Sequence, residues 1–240
     1  MSTTVLTADL VVLAHDDGWH LLLVRRRKEP FQGRWALPGG KVDAHEDAAT
    51  AARRELREET GLDATDADLV PLTWRTAPDR DPRGRYVSLT YAALLPTAPR
   101  VRGGDDAAAA WWQPLPAPPD HFPDAGAERR LAFDHAAILR EALSAAPRDR
   151  SAAPHIRAAT GADRRAIRRL LGARAPADPA SDRGAPTHVA ALGGFLVGCA
   201  GPPPTGRAAA PPRVVVHPRW QGRGIEERLA KARAEESPPP

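Results

Sequence analysis

Two apolar runs open the chain, VLTADLVVLA at Val5–Ala14 and WHLLLVRRR at Trp19–Arg27, parted by the turn-forming residues Asp16, Asp17 and Gly18. Runs rich in Val and Leu on either side of such a break predict a β-hairpin. GRWALPGG, Gly33–Gly40, is interrupted by Pro38 and ends in two glycines, so it reads as a loop. The period then changes. From Glu46 to Thr60 Gly and Pro disappear, Ala, Arg, Glu and Leu dominate, and Gly61 stands where a helix-ending glycine belongs; one helix of about four turns is predicted. Leu69–Thr76, Tyr86–Leu95 and Ala107–Gln113 read as further strands, and residues 128–145 as an amphipathic helix carrying Leu131, His135, Ile138 and Leu139 on one side.

The pattern thins after Pro147–Pro154, which reads as a linker. Beyond it His155–Arg157 predicts a strand, Ala162–Gly172 a helix, HVAALGGFLVGCAG a hairpin, PPRVVVH a strand and Ile225–Glu236 a helix. Residues 174–186 and 201–212 are so rich in Pro, Gly and Ala that they read as loops. The organisation expected is therefore a domain at 1–146, a linker at 147–154 and a smaller α/β region at 155–240. A length of 240 residues fits two units better than one.

Composition changes this picture in few places. No apolar run approaches the roughly 18 residues of a membrane helix, and acidic residues occupy the N-terminus where a secretion signal would be basic, so a cytoplasmic location is expected. The single cysteine, Cys199, excludes an intrachain disulfide framework. Net charge is +4, split as 19 basic and 22 acidic groups over residues 1–148 against 15 and 8 over 149–240. Of 34 basic residues 31 are arginine, and Ala and Pro are overused alongside, which marks a compositional bias; nucleic acid is not an expected partner.

Chemistry concentrates in Gly40–Leu62, GKVDAHEDAATAARRELREETGL. On a helix Glu55, Glu58 and Glu59 stand at i, i+3 and i+4, about 5–6 Å apart on one face. Two full charges at about 5 Å cost roughly 3 kcal/mol at an effective dielectric near 20, so a partly enclosed cluster calls for a cation. Oxygen-only ligands suit Mg²⁺ or Mn²⁺. The competing reading is a solvated acidic face balanced by Arg53, Arg54 and Arg57. The segment is similar to the Nudix box, in which Gly, Glu, Arg-Glu, Glu-Glu and Gly recur at fixed spacing; seven exact types in register arise by chance on the order of once in a hundred million.

That resemblance implies a Nudix α/β/α sandwich with a mixed sheet, and hydrolysis of a pyrophosphate bond with Mg²⁺ or Mn²⁺ held by Glu55, Glu58, Glu59 and the Gly39 carbonyl. Gly40, Glu46, Arg54 and Gly61 take structural roles, with Arg54 and Glu46 paired. RRRKEPFQGRWALPGG, DPRGRYVSLTYAALLP, DDAAAAWWQPL and LAFDHAAIL also resemble the ADP-ribose pyrophosphatase subgroup and related regulators of NAD metabolism. By that resemblance the substrate is a nucleoside diphosphate derivative, with ADP-ribose foremost. Arg25, Arg26, Arg80, Arg83 and Arg85 become candidate phosphate contacts. Asp105 or Asp106 is a candidate aid to metal or water, and Phe133, Asp134 and His135 are candidate substrate contacts. A regulator that binds a nucleotide without turnover and a bifunctional hydrolase and acetyltransferase are the alternatives, and a homodimer is expected from similar proteins. Val214–Leu229 resembles the acetyl-CoA loop of GNAT acetyltransferases through Gln221, Gly222 and Gly224, whose backbone amides would face a pyrophosphate. Glu226 departs from that pattern, and a truncated, inactive GNAT-like fragment is expected.

Overall fold

Strand β1, Val5–His15, carries apolar side chains on both faces, and the sheet of the N-terminal unit is assembled around it. The structure is a computed structural model describing residues 3–15, 18–64, 69–104, 106–115, 131–145, 154–171, 188–192, 195–201 and 213–235. It divides into two units, Met1–Arg150 and Ser151–Pro240.

In the first unit β2 (Trp19–Arg26) pairs antiparallel with β1, as the hairpin reading expects. The two strands then diverge. Only Leu13–His15 of β1 pairs with Trp19–Leu21, whereas Thr7–Asp9 pairs with β4 (Gly39–Lys41) and Val24–Arg25 with β3 (Trp35–Ala36). The segment Gly33–Gly40 is thus no plain loop: it supplies two short strands that fill the wedge between β1 and β2. On its other edge β1 runs parallel to β6 (Tyr86–Leu95) from Val5 to Ala14, and β7 (Ala107–Leu115) covers the outer edge of β2, so the sheet is mixed.

The expected strand at Leu69–Thr76 shrinks to β5, Val70–Pro71, and an isolated bridge between Arg75 and Ser88. At Thr73 side chains take over: its amide donates to Glu141 at 2.7 Å, and the Thr90 hydroxyl donates to its carbonyl at 2.8 Å. Helix α1 (Ala48–Thr60) is capped by Asp47, whose carboxylate accepts from the Thr50 amide at 2.7 Å, and stops at Gly61 with φ 74°. Ala51, Ala52 and Leu56 bury one stripe of it; Leu56 meets Leu10, Val12 and Ala14 of β1. Helix α2 spans His135–Ala145; residues 128–130 lie outside the described residues, and Leu131–Asp134 form a bridge to Trp35 and a turn. Its His135 meets Asp9, which alternates with Ala8 and Leu10 along β1, so the two helices cover opposite faces.

The second unit is an antiparallel sheet in the order β11-β10-β9-β8, with β8 His155–Ala158, β9 His188–Leu192, β10 Phe195–Gly201 and β11 Arg213–Val216. Helix α3 (Arg164–Leu171) buries Ile167 and Leu171 against Val189 and Cys199, and α4 (Ile225–Glu235) buries Ile225 and Leu229. The linker up to residue 153 and the Pro/Gly-rich stretches lie outside the described residues, apart from Gly201 in β10. No helix among the described residues is long and apolar enough to cross a membrane.

Candidate active site

Where β1 and β2 part, the inserted β3–β4 segment leaves a cavity of about 380 Å³. Its wall takes Glu55 and Glu59 from α1, Gly39 and Gly40 from β4, Asp9 from β1 and Arg26 from the end of β2. Glu59 sits in the buried stripe of α1, where its Oε2 accepts from the Gly39 amide at 3.0 Å. Burial pushes its carboxyl up to about 8, and the nearby charges of Glu55 and Asp9 push the same way. Burial raises Glu55 as well.

Two glycines make this proximity possible. A Cβ on Gly40 would collide with the Glu55 carboxylate, and one on Gly39 would strike the Ala8 carbonyl and lie 2.9 Å from Asp9 Cα. Arg54 is the local counter-cation. It donates to Glu46 Oε1 at 2.6 Å, to the Lys41 carbonyl at 3.0 Å, to Glu55 at 2.9 Å and to Glu58 at 3.1 Å. The Arg54–Glu46 pair joins the loop before α1 to the helix, and these hydrogen bonds hold Glu46 below the usual carboxylate range. Glu58 therefore faces Arg54 and is absent from the cavity wall, and among the described residues no three His, Cys, Asp or Glu side chains form a ready metal cluster. The helix brings the three glutamates to one neighbourhood, with Glu55 and Glu59 alone entering the cavity.

The candidate phosphate contacts separate in the same way. Arg26 and Arg83 line the cavity; burial, and then the charge of Arg83, lower the Arg26 pKa. Their guanidinium carbons lie 4.8 and 5.5 Å from the Phe133 ring centre. Arg83 also holds Asp81 at 2.6 Å. Arg80 is occupied: buried, it makes a bidentate pair with Asp134 at 2.6 and 3.0 Å and reaches Asp9 at 3.4 Å. Arg25 donates to the Gly33 carbonyl and Arg85 to the Thr76 carbonyl, both away from the wall. Asp106 is on the wall but exposed, 2.7 Å from Lys28; Asp105 lies outside the described residues. His135 Nδ1 accepts from the Leu37 amide at 2.9 Å, which leaves the ring proton on Nε2 toward Asp9, and burial lowers its pKa. It is a neutral, structural imidazole lining the site.

Asp9 is the residue sequence reasoning missed. It is buried, and it accepts from Ser88 and Arg80. A lone carboxylate inside the apolar run VLTADLVVLA was the available signal. In the C-terminal unit Gln221 donates to the Val216 carbonyl at 3.4 Å, and Gly222 and Gly224 take positive φ of 74° and 70° in the turn leading into α4.

A mixed-sheet α/β domain with an acidic helix beside a cavity of nucleotide size defines the class. The chain belongs to the NUDIX family, whose domain model matches residues 4–134. It is 36% identical over 121 residues to an ADP-ribose pyrophosphatase of Methanocaldococcus jannaschii, covering 50% of this chain and 64% of that one. Over 143 residues it is 30% identical to the ADPR responsive transcriptional repressor NtrR of Acinetobacter baylyi, covering 58% and 53%. The chain thus spans less than two thirds of either relative. Among solved structures, a MutT/nudix family protein from Enterococcus faecalis superposes with a TM-score of 0.53 at 31% identity, over 59% of this chain and 61% of that one. The NUDIX domain of Shewanella oneidensis NrtR complexed with ADP ribose superposes with 0.50 at 29%, over 59% and 88%.

Proposed function

We propose that this chain hydrolyses the pyrophosphate bond of a nucleoside diphosphate derivative, ADP-ribose foremost, with Mg²⁺ or Mn²⁺. The observation that carries the reading is Glu59, a buried carboxyl beside Glu55 in a cavity that also presents Arg26 and Arg83. The donor set fits a hard divalent ion: Glu55 and Glu59 offer oxygen only, and the carboxylates crowd each other so that charge there needs a cation. Glu55 and Glu59, joined by Glu58 and the Gly39 carbonyl, would hold it. Such an ion would supply Lewis acidity for the attacking water and for charge developing on the phosphate oxygens. Arg26 and Arg83 bind and orient the phosphates; Arg54 keeps the helix and the Lys41 loop in register; Asp106 and Lys28 flank the mouth. The N-terminal domain, 1–146, carries all of this, in a cytoplasmic protein that pairs as a homodimer.

A panel of ADP-ribose, NADH, sugar nucleotides and oxidised nucleoside triphosphates, assayed for hydrolysis with Mg²⁺, tests the substrate class. Turnover confined to oxidised triphosphates would reject ADP-ribose. The repressor relative favours a second reading, nucleotide binding without turnover; tight ADP-ribose binding with no hydrolysis under any divalent ion would establish it. For the C-terminal unit we propose a GNAT-like fold, which the antiparallel sheet and the glycine turn into α4 support. Calorimetry with acetyl-CoA tests it: no heat at millimolar ligand means no cofactor site.

A further inference from the structure

Arg26 and Arg83 line the cavity together, yet they are held in different ways. Arg83 is gripped by a carboxylate and a ring: its Nε and Nη2 donate to Asp81 at 3.0 and 2.6 Å, and its guanidinium carbon lies 4.6 Å from the centre of the Tyr86 ring. Arg26 donates its Nε and Nη2 to the backbone carbonyls of Pro30 and Lys28, at 2.8 and 3.4 Å. Neutral carbonyls orient a guanidinium without cancelling its charge, so Arg26 keeps that charge for an anion. The two cations also repel, and after burial it is the charge of Arg83 that lowers the Arg26 pKa. The Phe133 ring offsets this repulsion. Its centre lies 4.8 Å from the Arg26 guanidinium carbon and 5.5 Å from that of Arg83, and the negative face of an aromatic ring attracts both.

Phe133 is itself held in a conformation that needs support. Its φ of 52° lies in the left-handed region that bulky side chains seldom adopt. Both flanks are tied down: the Ala132 amide donates to the Trp35 carbonyl at 2.8 Å, and Asp134 makes its bidentate pair with buried Arg80, which also reaches Asp9 of β1. Phe31 backs the ring edge to face, 4.9 Å between centres and 72° between planes. We propose that Phe133 is a positioning residue for phosphate binding: its ring holds the Arg26 guanidinium at the cavity beside Arg83, and it acts on the substrate through Arg26 without touching it. This rests on the pyrophosphate-bond reading above and deepens it, by assigning the device that keeps two like charges side by side where an anion is to bind.

A probe that has no ring of its own tests this, because a side chain that only stacks on a ligand cannot change the binding of a ligand with nothing to stack. Inorganic pyrophosphate with excess Mg²⁺ is titrated calorimetrically onto the full chain and its variants, with Tm recorded for each. Phe133→Leu, which keeps the apolar bulk and loses the π face, should weaken pyrophosphate about tenfold. Phe133→Tyr should bind within about twofold of the parent chain. Arg26→Met should weaken pyrophosphate about tenfold or more, and adding Phe133→Leu to it should cost less than about twofold further, because the ring then has no Arg26 to hold. Should Phe133→Leu lower Tm, Phe133→Met gives the same comparison with a side chain that fills irregular space. Unchanged pyrophosphate affinity in Phe133→Leu, an equal loss in Phe133→Tyr, full additivity with Arg26→Met, or no pyrophosphate binding by the parent chain would overturn the proposal. Coupled loss of pyrophosphate in a chain that hydrolyses no nucleotide would sink the hydrolase and spare the positioning role; robust hydrolysis with Phe133→Leu indifferent would do the reverse.

Discussion

Gly39 and Gly40 are neighbours with different jobs. Alanine at Gly40 meets first the carboxylate end of Glu55, which can swing aside, whereas alanine at Gly39 meets the backbone of β1. Gly40→Ala should therefore lower kcat by about 10²-fold by moving Glu55, with Tm nearly unchanged. Gly39→Ala should cost about 1–3 kcal/mol in urea unfolding, because backbone cannot yield cheaply. Glu59 gives a pH signature in protein kept free of divalent ions with EDTA. Its folded pKa of about 8 lies above its ordinary 4.5, so between these values the native state binds more protons than the unfolded chain, and stability falls as pH rises. Glu59→Gln should flatten that decline and stabilise the protein at pH 8, with little change near pH 4.5. A parallel fall in both proteins would contradict the burial of Glu59. At this scale the sequence displayed Glu55, Glu58 and Glu59 together because a four-residue reach along a helix is local. It could not display Arg80 held by Asp9 and Asp134, partners 71 and 54 residues away.

Among the elements, α1 was readable to within two residues because its signals are local: Asp47 caps its start and Gly61 ends it. Tyr86–Leu95 was equally plain as a continuous β-rich run. Leu69–Thr76 misled because its apolar pattern says nothing of Glu141, which takes the Thr73 amide and pairs with Arg75 at 2.6 Å. Gly33–Gly40 misled because two- and three-residue strands have no period of their own; they exist only because β1 and β2 diverge. The turn before α3 has a local signal too. Asp163 accepts from the Thr160 amide at 2.8 Å and from Arg157 at 2.7 Å, and these bonds, the Arg157 pair foremost, lower its pKa to about 2. A depressed acid stabilises above its unfolded pKa and loses that contribution as pH falls through its folded one. Asp163→Asn should thus cost about 1–2 kcal/mol at neutral pH and nothing below pH 2, measured by denaturant unfolding of the second unit.

Over the whole molecule the first unit gathers side chains from β1, β2, β4, α1, the turn before β6 and the turn before α2 around one cavity. A wedge in a mixed sheet does this because the strands cannot close on each other while β3 and β4 lie between them. The cavity brings carboxylates and arginines together, the combination that the proposed hydrolysis of a pyrophosphate would use. The most direct measurement is AMP release from ADP-ribose by the full chain with Mg²⁺, compared with EDTA and with Glu55→Gln. The account predicts turnover that vanishes with EDTA and falls by about 10²–10⁴-fold in the variant. Turnover indifferent to both, or none in the parent chain while ADP-ribose binds tightly, would contradict it.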